Sequence, residues 1–310
     1  MKQYKVSLIV PIYGVEKYIE KFARTALGQT YDNIQFVFVN DGTKDASMDV
    51  LNALIEKEFS HRKDDILIIN KVNEGLPLAR KTGLDNATGE YILFADSDDW
   101  MELDAVQKVM AKADETDADI IYFDLVKEYG DRTSYKAERE YTSETKADFI
   151  VNMFNYKSFG YTVTKCFKRR IYTDNVIYIP KLGMHEDIYL MSQIIHYAQS
   201  LVHMPEALYH YRKDNPASFC SQSRSQRHIT STINLLDLYE HYKDNLKGSP
   251  IENVAGSILM RAGQHAIMHG YDFFEKYPYL AADIRKTPVS FRYRTAVPMQ
   301  IVVKIFALFK

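Results

Sequence analysis

The sequence predicts an α/β fold, built on a mainly parallel, Rossmann-like sheet with helices on both faces. Through the first third of the 310 residues, short apolar runs of strand length alternate with segments of helical length. This alternation is typical of βαβ units, whose helices cover a parallel sheet. With 46% hydrophobic residues, the chain can bury the core of one large or two small domains.

Four apolar runs have the length and composition of buried strands. They cover residues 6–10, 34–39, 66–69 and 91–95. Helices are expected over residues 15–27, 47–59, 76–87 and 100–113. Because the crossovers between parallel strands are right-handed, the carboxyl ends of the strands and their loops should lie along one edge of the sheet.

Polar or aromatic residues follow each predicted strand. In chain order they are Tyr13, Asp41, Lys71 with Asn73, and finally Asp96, Ser97, Asp98 and Asp99. Helix capping by Asn, Asp and Ser explains part of this pattern. It does not explain an aromatic ring, two acidic sites and a lysine around one cleft. Since open α/β sheets bind ligands at this edge, the pattern predicts a nucleotide pocket.

The acidic cluster after the fourth strand places three carboxylates within four positions, at Asp96, Asp98 and Asp99. Carboxylates this close repel one another, and a divalent cation with oxygen ligands is the simplest compensation. A turn that caps the following helix is the alternative, and these residues alone support it equally well. A helix–loop–helix calcium site is excluded, because Met101 and Gln107 occupy the required glycine and glutamate positions.

Several other site classes fail on spacing. The nearest glycines, Gly83 and Gly89, are six positions apart. That spacing excludes G-x-G-x-x-G, the P-loop and the G-x-S-x-G nucleophile elbow. The zinc motif H-E-x-x-H also fails, because Tyr189 occupies the second histidine position after His185. Without a glycine cradle, a metal ion on Asp98 would have to neutralise a bound diphosphate.

Composition narrows the class of protein further. The formal net charge is −2 and the pI about 6.5, so we expect no nucleic-acid partner. Cys166 and Cys220 lie far apart in no metal-ligand pattern, which is typical of reduced thiols. The first residues lack the apolar region of a signal peptide, and no apolar run reaches the roughly 18–20 residues of a membrane span. These observations predict a cytoplasmic protein.

The ordered motifs of the first hundred residues resemble family 2 glycosyltransferases with the GT-A fold. They are VSLIVPIY (6–13), QTY (29–31), VNDGT (39–43), NEGL (73–76), AR (79–80), TGL (82–84), ATGE (87–90) and DSDDW (96–100). Beyond residue 150, KCFK (165–168), ED (186–187) and LYHYR (208–212) with Ser218 resemble the acceptor half of bacterial capsule, lipopolysaccharide and exopolysaccharide members. Two departures are Gly14 in place of the usual Asn and Thr43 in place of Ser.

The resemblance implies a donor site for a UDP-sugar. Tyr13 would stack on the uracil, Asp41 would accept its N–H, and Lys71 or Asn73 would complete that side of the base. Asp96 would contact the ribose or a metal-bound water, and Asp98 would bind Mn²⁺ or Mg²⁺, which acts as a Lewis acid on the leaving UDP. The full set of implied nucleotide and metal residues is Pro11, Tyr13, Asp41, Lys71, Asn73, Asp96, Ser97 and Asp98.

The resemblance also implies catalytic and acceptor residues. Asp187 would act as the general base of an inverting transfer, with Glu186 as its partner. An acidic start to a helix over residues 188–195 is the alternative for this pair. Lys165, Tyr211 and Arg212 are the predicted acceptor-binding residues. The rings of Tyr156, Phe159, Tyr161 and Tyr209 offer further faces for sugars, although core packing is expected for about half of them.

The chain is expected to divide into three parts. Residues 1–100 form the nucleotide-sugar half of the GT-A domain, residues 101–220 the acceptor half, and residues 221–310 a C-terminal helical region. Its helices are expected over residues 229–242, 251–271 and 277–284. Residues 285–310 carry six cations, no acidic residue and a short apolar stretch. Such a tail suits either an anionic membrane surface or a docking contact, including one in a homo-oligomer.

The expected function is therefore an inverting, metal-dependent glycosyltransferase. It would move a sugar from a UDP-sugar to a glycan or lipid-linked glycan in surface polysaccharide synthesis, in the cytoplasm or peripherally on the inner face of the membrane. One alternative is a nucleotidyltransferase that makes sugar nucleotides, although the loop after the first strand lacks the Gly- and Arg-rich sequence of that class. The other is a nucleotide- or carbohydrate-binding module without catalysis, against which Asp98 and Asp187 both argue.

Overall fold

The computed structural model describes residues 3–138, 141, 146–154, 157–181, 185–216, 234 and 236–241. Its centre is a nine-stranded mixed sheet. The strands are β1 Val6–Ile12, β2 Ile34–Asn40, β3 Ile66–Asn70, β4 Tyr91–Phe94, β5 Trp100–Met101, β6 Ile120–Glu128, β7 Thr133–Lys136, β8 Lys165–Lys168 and β9 Leu201–Arg212. The main α-helices are α1 Ile19–Leu27, α2 Ser47–Glu58, α3 Leu76–Asn86, α4 Ala105–Thr116, α5 Lys146–Phe154, α6 Arg170–Thr173 and α7 Glu186–Tyr197.

The predicted half of the sheet forms as expected. Strands β3, β2, β1 and β4 lie side by side in that order and run parallel. Their carboxyl ends therefore meet at one edge, and the loops after them lie together. The α/β class and all four predicted strands are confirmed.

The second half of the sheet adds antiparallel pairings. Strand β8 joins β4 to β6, and it is antiparallel to both. Strand β9 runs parallel to β6. On the other side of β9, the short strand β5 pairs with it in antiparallel fashion. These pairings bring the end of β9 against the loop that follows β4, so the second half of the chain reaches the predicted pocket.

Two helix predictions were wrong at their first residues. The segment expected as a helix over 100–113 begins as strand β5, because Trp100 and Met101 pair with His210 and Tyr209 of β9. Helix α4 starts only at Ala105. Likewise, α1 begins at Ile19 rather than at residue 15. Pairing with a strand about 110 positions away is not visible in local periodicity.

Hydrophobic side chains fill both faces of the sheet. One cluster joins Ile9, Val37 and Phe94 to apolar residues of α5 and α7, and the other joins Leu8, Phe36 and Leu93 to α1, α2 and α4. Alternate residues of each central strand thus point to opposite cores, as expected for a sheet covered on both sides. Within the described ranges, no helix is long and apolar enough to cross a membrane.

Candidate active site

The base side of the predicted pocket lies at the ends of three neighbouring strands. Tyr13 follows β1 and is 54% exposed, so its ring is available to a ligand. Asp41 follows the central strand β2, and the loop over residues 71–75 follows β3 on the other side. At Gly42 the φ angle is +68°, and an added Cβ would lie 2.8 Å from the backbone N of Asn73. Glycine at position 42 therefore lets the two loops meet.

Asp41 fixes the loop over residues 71–75. Its buried carboxylate accepts hydrogen bonds from the backbone N–H groups of Glu74 at 3.0 Å and Gly75 at 2.8 Å. Lys71 Nζ also donates to it at 3.1 Å, whereas Asn73 is exposed. Asp41 thus fixes the two residues that precede α3 from a different strand end and holds Lys71 beside the pocket.

The two departures from the family pattern contact each other. The backbone N–H of Gly14 donates to Thr43 Oγ1 at 2.9 Å, and that hydroxyl donates to Asp45 at 2.7 Å. Gly14 has a φ angle of +69°, a left-handed conformation that Gly and Asn adopt more readily than other residues. The loop that carries Tyr13 is therefore tied to the loop after β2.

The loop after β4 is held in place by residues of β1 and β9. Ser97 Oγ donates to the carbonyl of Pro11 at 2.7 Å, so Ser97 and Pro11 join two strand ends. The backbone N–H of Asp96 donates to the Tyr209 hydroxyl at 2.9 Å. That hydroxyl donates in turn to Asp99 at 2.8 Å.

Arg212 and Asn215 complete the support of this loop. The backbone N–H of Arg212 donates to the Asp99 carboxylate at 2.7 Å, and its Nε donates to the carbonyl of Asp98 at 2.8 Å. Asn215 donates to the Asp98 carboxylate at 2.8 Å. Asp99 is thus a buried support, while Asp96 and Asp98 remain the partly accessible carboxylates.

The donor set at Asp96 and Asp98 fits a divalent cation whose coordination is completed by a nucleotide. In the described part of the chain, no group of three His, Cys, Asp or Glu residues could hold a metal ion by itself. Mg²⁺ and Mn²⁺ are commonly held by one or two carboxylates together with substrate phosphates. Burial and the nearby Asp96 charge raise the pKa of Asp98, so a cation here would relieve an unfavourable pair.

Arg80 of α3 brings the second acidic pair to the same cleft. Its Nη2 donates to Asp96 at 2.8 Å, and its Nη1 donates to Glu186 at 3.1 Å. Glu186 and Asp187 occupy the first turn of α7, as both interpretations of this pair require. Residues from the loop after β4, from α3 and from α7 therefore form one charged cluster at the carboxyl ends of the strands.

Glu186 has an unusual protonation equilibrium. Burial and the neighbouring Asp187 raise the pKa of Glu186 to about 8, and Arg80 opposes this rise. The protonated carboxyl can accept from Arg80 through one oxygen and donate to Asp187 through the other. Near neutral pH, Glu186 then retains its proton.

We predict that Glu186 makes the fold less stable as pH rises from about 4.5 to 8. Across this window the native protein holds a proton that the unfolded chain has released, so the free energy of unfolding falls with pH. In Glu186→Gln this part of the pH dependence should disappear. Urea unfolding between pH 5 and 8 measures it, and Glu115→Gln, at an exposed position of α4, is the control. An unchanged slope in Glu186→Gln would contradict the assignment.

The predicted acceptor residues separate into two kinds. Lys165 is 1% exposed; its ammonium donates to the carbonyls of Phe159 at 2.7 Å and Tyr161 at 3.3 Å, and pairs with Glu138. The prediction that Lys165 contacts the acceptor directly is therefore corrected: Lys165 instead supports the loop that carries the rings of Phe159 and Tyr161. Burial lowers the pKa of Lys165, in line with this interior position.

Tyr211 and Arg212 are only partly buried, so their acceptor-binding role stays a prediction. The Tyr211 ring lies 5.7 Å from that of Tyr161, which stacks on Phe159 at 5.3 Å. The Arg212 guanidinium lies over the rings of Tyr18 and Trp100, at 4.8 and 5.0 Å. Core packing was the right alternative for Tyr209, which is fully buried. Tyr156, Ser218 and Cys220 lie outside the described residues.

Sequence reasoning gave no role to Arg80, Tyr209 as a hydroxyl donor, or Asn215. Arg80 was visible only as part of the AR motif. Its position five residues into α3 offers no sign of two carboxylate partners, one of them 106 positions away. Asn215 follows the LYHYR motif closely, and that proximity was the available signal for it.

Comparison with known proteins agrees with this geometry. Residues 7–176 match the family model described as Glycosyl transferase family 2. The chain is 36% identical over 224 residues to "Glycosyltransferase GlyA" of Streptococcus pneumoniae, covering 67% of this chain and 30% of that protein. It is 32% identical over 217 residues to "Putative glycosyltransferase EpsH" of Bacillus subtilis, covering 68% and 62%. The chain thus spans less than two thirds of these relatives.

Solved structures show the same fold. The crystal structure of S. aureus TarS 1-349 has a TM-score of 0.63 at 20% identity and covers 91% of this chain and 78% of that one. The complex of the same protein with UDP-GlcNAc also has a TM-score of 0.63, at 19% identity, covering 94% and 90%. These likenesses confirm the predicted GT-A fold. Because the family model matches more than half of this chain, the chain belongs to glycosyl transferase family 2.

Proposed function

We propose that this chain is an inverting, metal-dependent glycosyltransferase that takes its sugar from a UDP-sugar. The observation that carries the proposal is the Arg80 bridge, because it brings the acidic loop after β4 and the Glu186–Asp187 pair to one cleft. A donor-binding edge and a candidate base are the two parts that sugar transfer requires. The names of GlyA and EpsH, and the UDP-GlcNAc complex of TarS, support the same activity and donor class.

The donor would lie along the ends of β1 to β4. Tyr13 stacks on the base, while Asp41, Lys71 and Asn73 complete its other side; Pro11 and Ser97 keep the strand ends together. Asp96 would contact the ribose or a water on the metal, and Asp98 would hold Mn²⁺ or Mg²⁺. When bound, this ion supplies Lewis-acid stabilisation of the UDP leaving group. A mannosyltransferase from Pyrobaculum calidifontis, whose structure contains GDP-Man and Mn²⁺, has a TM-score of 0.52 and supports the use of a metal by this fold.

Asp187 would remove the proton of the acceptor hydroxyl. Because Glu186 retains its own proton through burial, its O–H can hold the Asp187 side chain in place for this role. Attack from the face opposite the UDP inverts the anomeric carbon. Tyr211 and Arg212 would contact the acceptor, a glycan or lipid-linked glycan of a surface polysaccharide, as the "Minor teichoic acid biosynthesis protein" among the relatives suggests.

UDP release from a panel of UDP-sugars, with and without Mn²⁺ or Mg²⁺, tests the function. The proposal expects UDP release that depends on a donor and on the metal. Pyrophosphate exchange with UTP would instead indicate a nucleotidyltransferase, and UDP binding without turnover would indicate a binding module. Either result would overturn the proposed activity.

We also propose that residues 285–310, which lie outside the described residues, attach the enzyme to the inner face of the membrane. Their six cations and short apolar stretch should give attachment that requires anionic lipid and weakens with salt, because salt screens each charge. Deletion of residues 285–310 should abolish flotation with anionic liposomes and leave UDP binding intact. If the full-length protein stays off such liposomes at low salt, this segment is a packing or homo-oligomer contact instead.

A further inference from the structure

The side chain of Arg80 is held in a fixed position by the residues packed around it. It lies within α3, next to the fully buried Ala79, and is itself 3% exposed. Its guanidinium carbon lies 5.8 Å from the centroid of the Phe94 ring, on β4. Because helix and strand are both packed in the core, the guanidinium is fixed relative to the sheet.

The two terminal nitrogens of Arg80 point to different elements. One holds Asp96, in the loop after β4, and the other holds Glu186, in the first turn of α7. Its third nitrogen, Nε, is buried and has no hydrogen-bond partner among the described residues. A buried N–H without a hydrogen-bond partner destabilises the folded protein. The guanidinium is therefore oriented to pair with both carboxylates, although this orientation leaves Nε without a described partner.

The geometry points to Arg80 as a positioning residue for transfer, one that sets the start of α7 relative to the donor loop. We propose this on the basis of the proposed function, and the residue need not touch any reacting atom. Arginine suits the task because its planar guanidinium presents its donors in a rigid fork, whereas the lysine ammonium is a point charge on a flexible stem. By holding Glu186, Arg80 also fixes the adjacent Asp187, whose distance to the acceptor hydroxyl decides the rate.

Loss of the bridge should affect turnover more than donor binding. Asp96 keeps its backbone bond to Tyr209, and Asp98 keeps Asn215, so the donor loop retains its support. The first turn of α7 loses its tie to that loop. Since a misplacement of about 1 Å can cost about 10²-fold in rate, Arg80→Met should lower kcat by about that factor. KM for the donor should change less than about fivefold.

Arg62 supplies a matched control. It is also a buried arginine whose Nε has no partner in the described part of the chain, and it lies over the Phe36 ring at 5.9 Å. Its guanidinium donates to backbone carbonyls before β2, at the opposite edge of the sheet. Arg62→Met should therefore cost stability to a similar degree without lowering kcat.

The test compares Arg80→Met, Arg80→Lys and Arg62→Met by steady-state kinetics with a donor that supports wild-type transfer. Arg80→Lys should give an intermediate kcat, and it stands in for Arg80→Met if that variant does not fold. Equal kcat losses in Arg80→Met and Arg62→Met, or an unchanged kcat in Arg80→Met, would overturn the inference.

Hydrogen exchange separates this inference from the proposed function. Without any substrate, amides over residues 188–191 should exchange faster in Arg80→Met than in Arg62→Met, because only the former frees the start of α7. Calorimetry with UDP should give similar affinities for both variants. If the wild type transfers no sugar, the proposed function is wrong but the positioning role of Arg80 is not contradicted. Unchanged hydrogen exchange at the start of α7 in Arg80→Met would contradict the positioning role.

Discussion

Asp187→Asn should lower kcat by about 10²–10⁴-fold, the usual loss when a general base is removed. The amide has nearly the shape of the carboxylate but cannot accept the proton of the acceptor hydroxyl. UDP binding should remain close to that of the wild type, because the donor-site residues lie on the loops after β1 to β4. Steady-state turnover and UDP calorimetry on the same preparation measure the two effects.

Glu186→Gln is the informative comparison for this variant. A glutamine can accept from Arg80 through its oxygen and donate to Asp187 through its amide, as a protonated Glu186 does. Its turnover should therefore stay well above that of Asp187→Asn. Near-wild-type transfer by Asp187→Asn, or a larger loss of turnover in Glu186→Gln, would assign the role of general base to Glu186 instead of Asp187.

Asp98→Asn should abolish most of the gain in UDP affinity that Mn²⁺ or Mg²⁺ provides. In the wild type, a cation on Asp98 and Asp96 would offset the repulsion between these carboxylates and the diphosphate, so UDP should bind more tightly with metal. The asparagine keeps the shape of the side chain next to Asn215 and loses its charge. Calorimetry with UDP, with the metal present or chelated, measures the difference.

Asp214→Asn provides the charge-matched control for Asp98→Asn. Asp214 is exposed and pairs with Arg212 at 3.2 Å, so it lies close to the acidic loop without belonging to it. This variant should retain the metal-dependent gain. Identical UDP affinity with and without metal in the wild type would refute the assignment of Asp98 and Asp96.

The parallel half of the sheet could be predicted because its signals are local. Each of β1 to β4 is a continuous apolar run with a polar end, and the observed bounds differ from the predicted ones by two residues at most. The pairing of β5 with β9 could not be predicted in the same way. It depends on long-range contacts that override the helical pattern after residue 100.

The candidate site follows the same division. Tyr13, Asp41, Asp96 and Asp98 were identifiable because they follow predicted strands. The interior position of Lys165 was not, since its charge predicts exposure and only its pairing with Glu138 and the loop carbonyls stabilises burial. Partners from distant elements can be identified only once the fold brings them together.

The dependence of the acidic loop on β9 has a consequence for synthesis on the ribosome. Asp96, Asp98 and Asp99 are translated more than a hundred residues before Tyr209, Arg212 and Asn215, which hold them. A nascent chain that has folded β1 to β4 therefore has the family's motifs, but its acidic loop lacks the contacts that β9 and Asn215 provide. We expect ribosome-bound chains that end before residue 201 to bind UDP poorly. Donor binding would thus begin only after the acceptor half has been made.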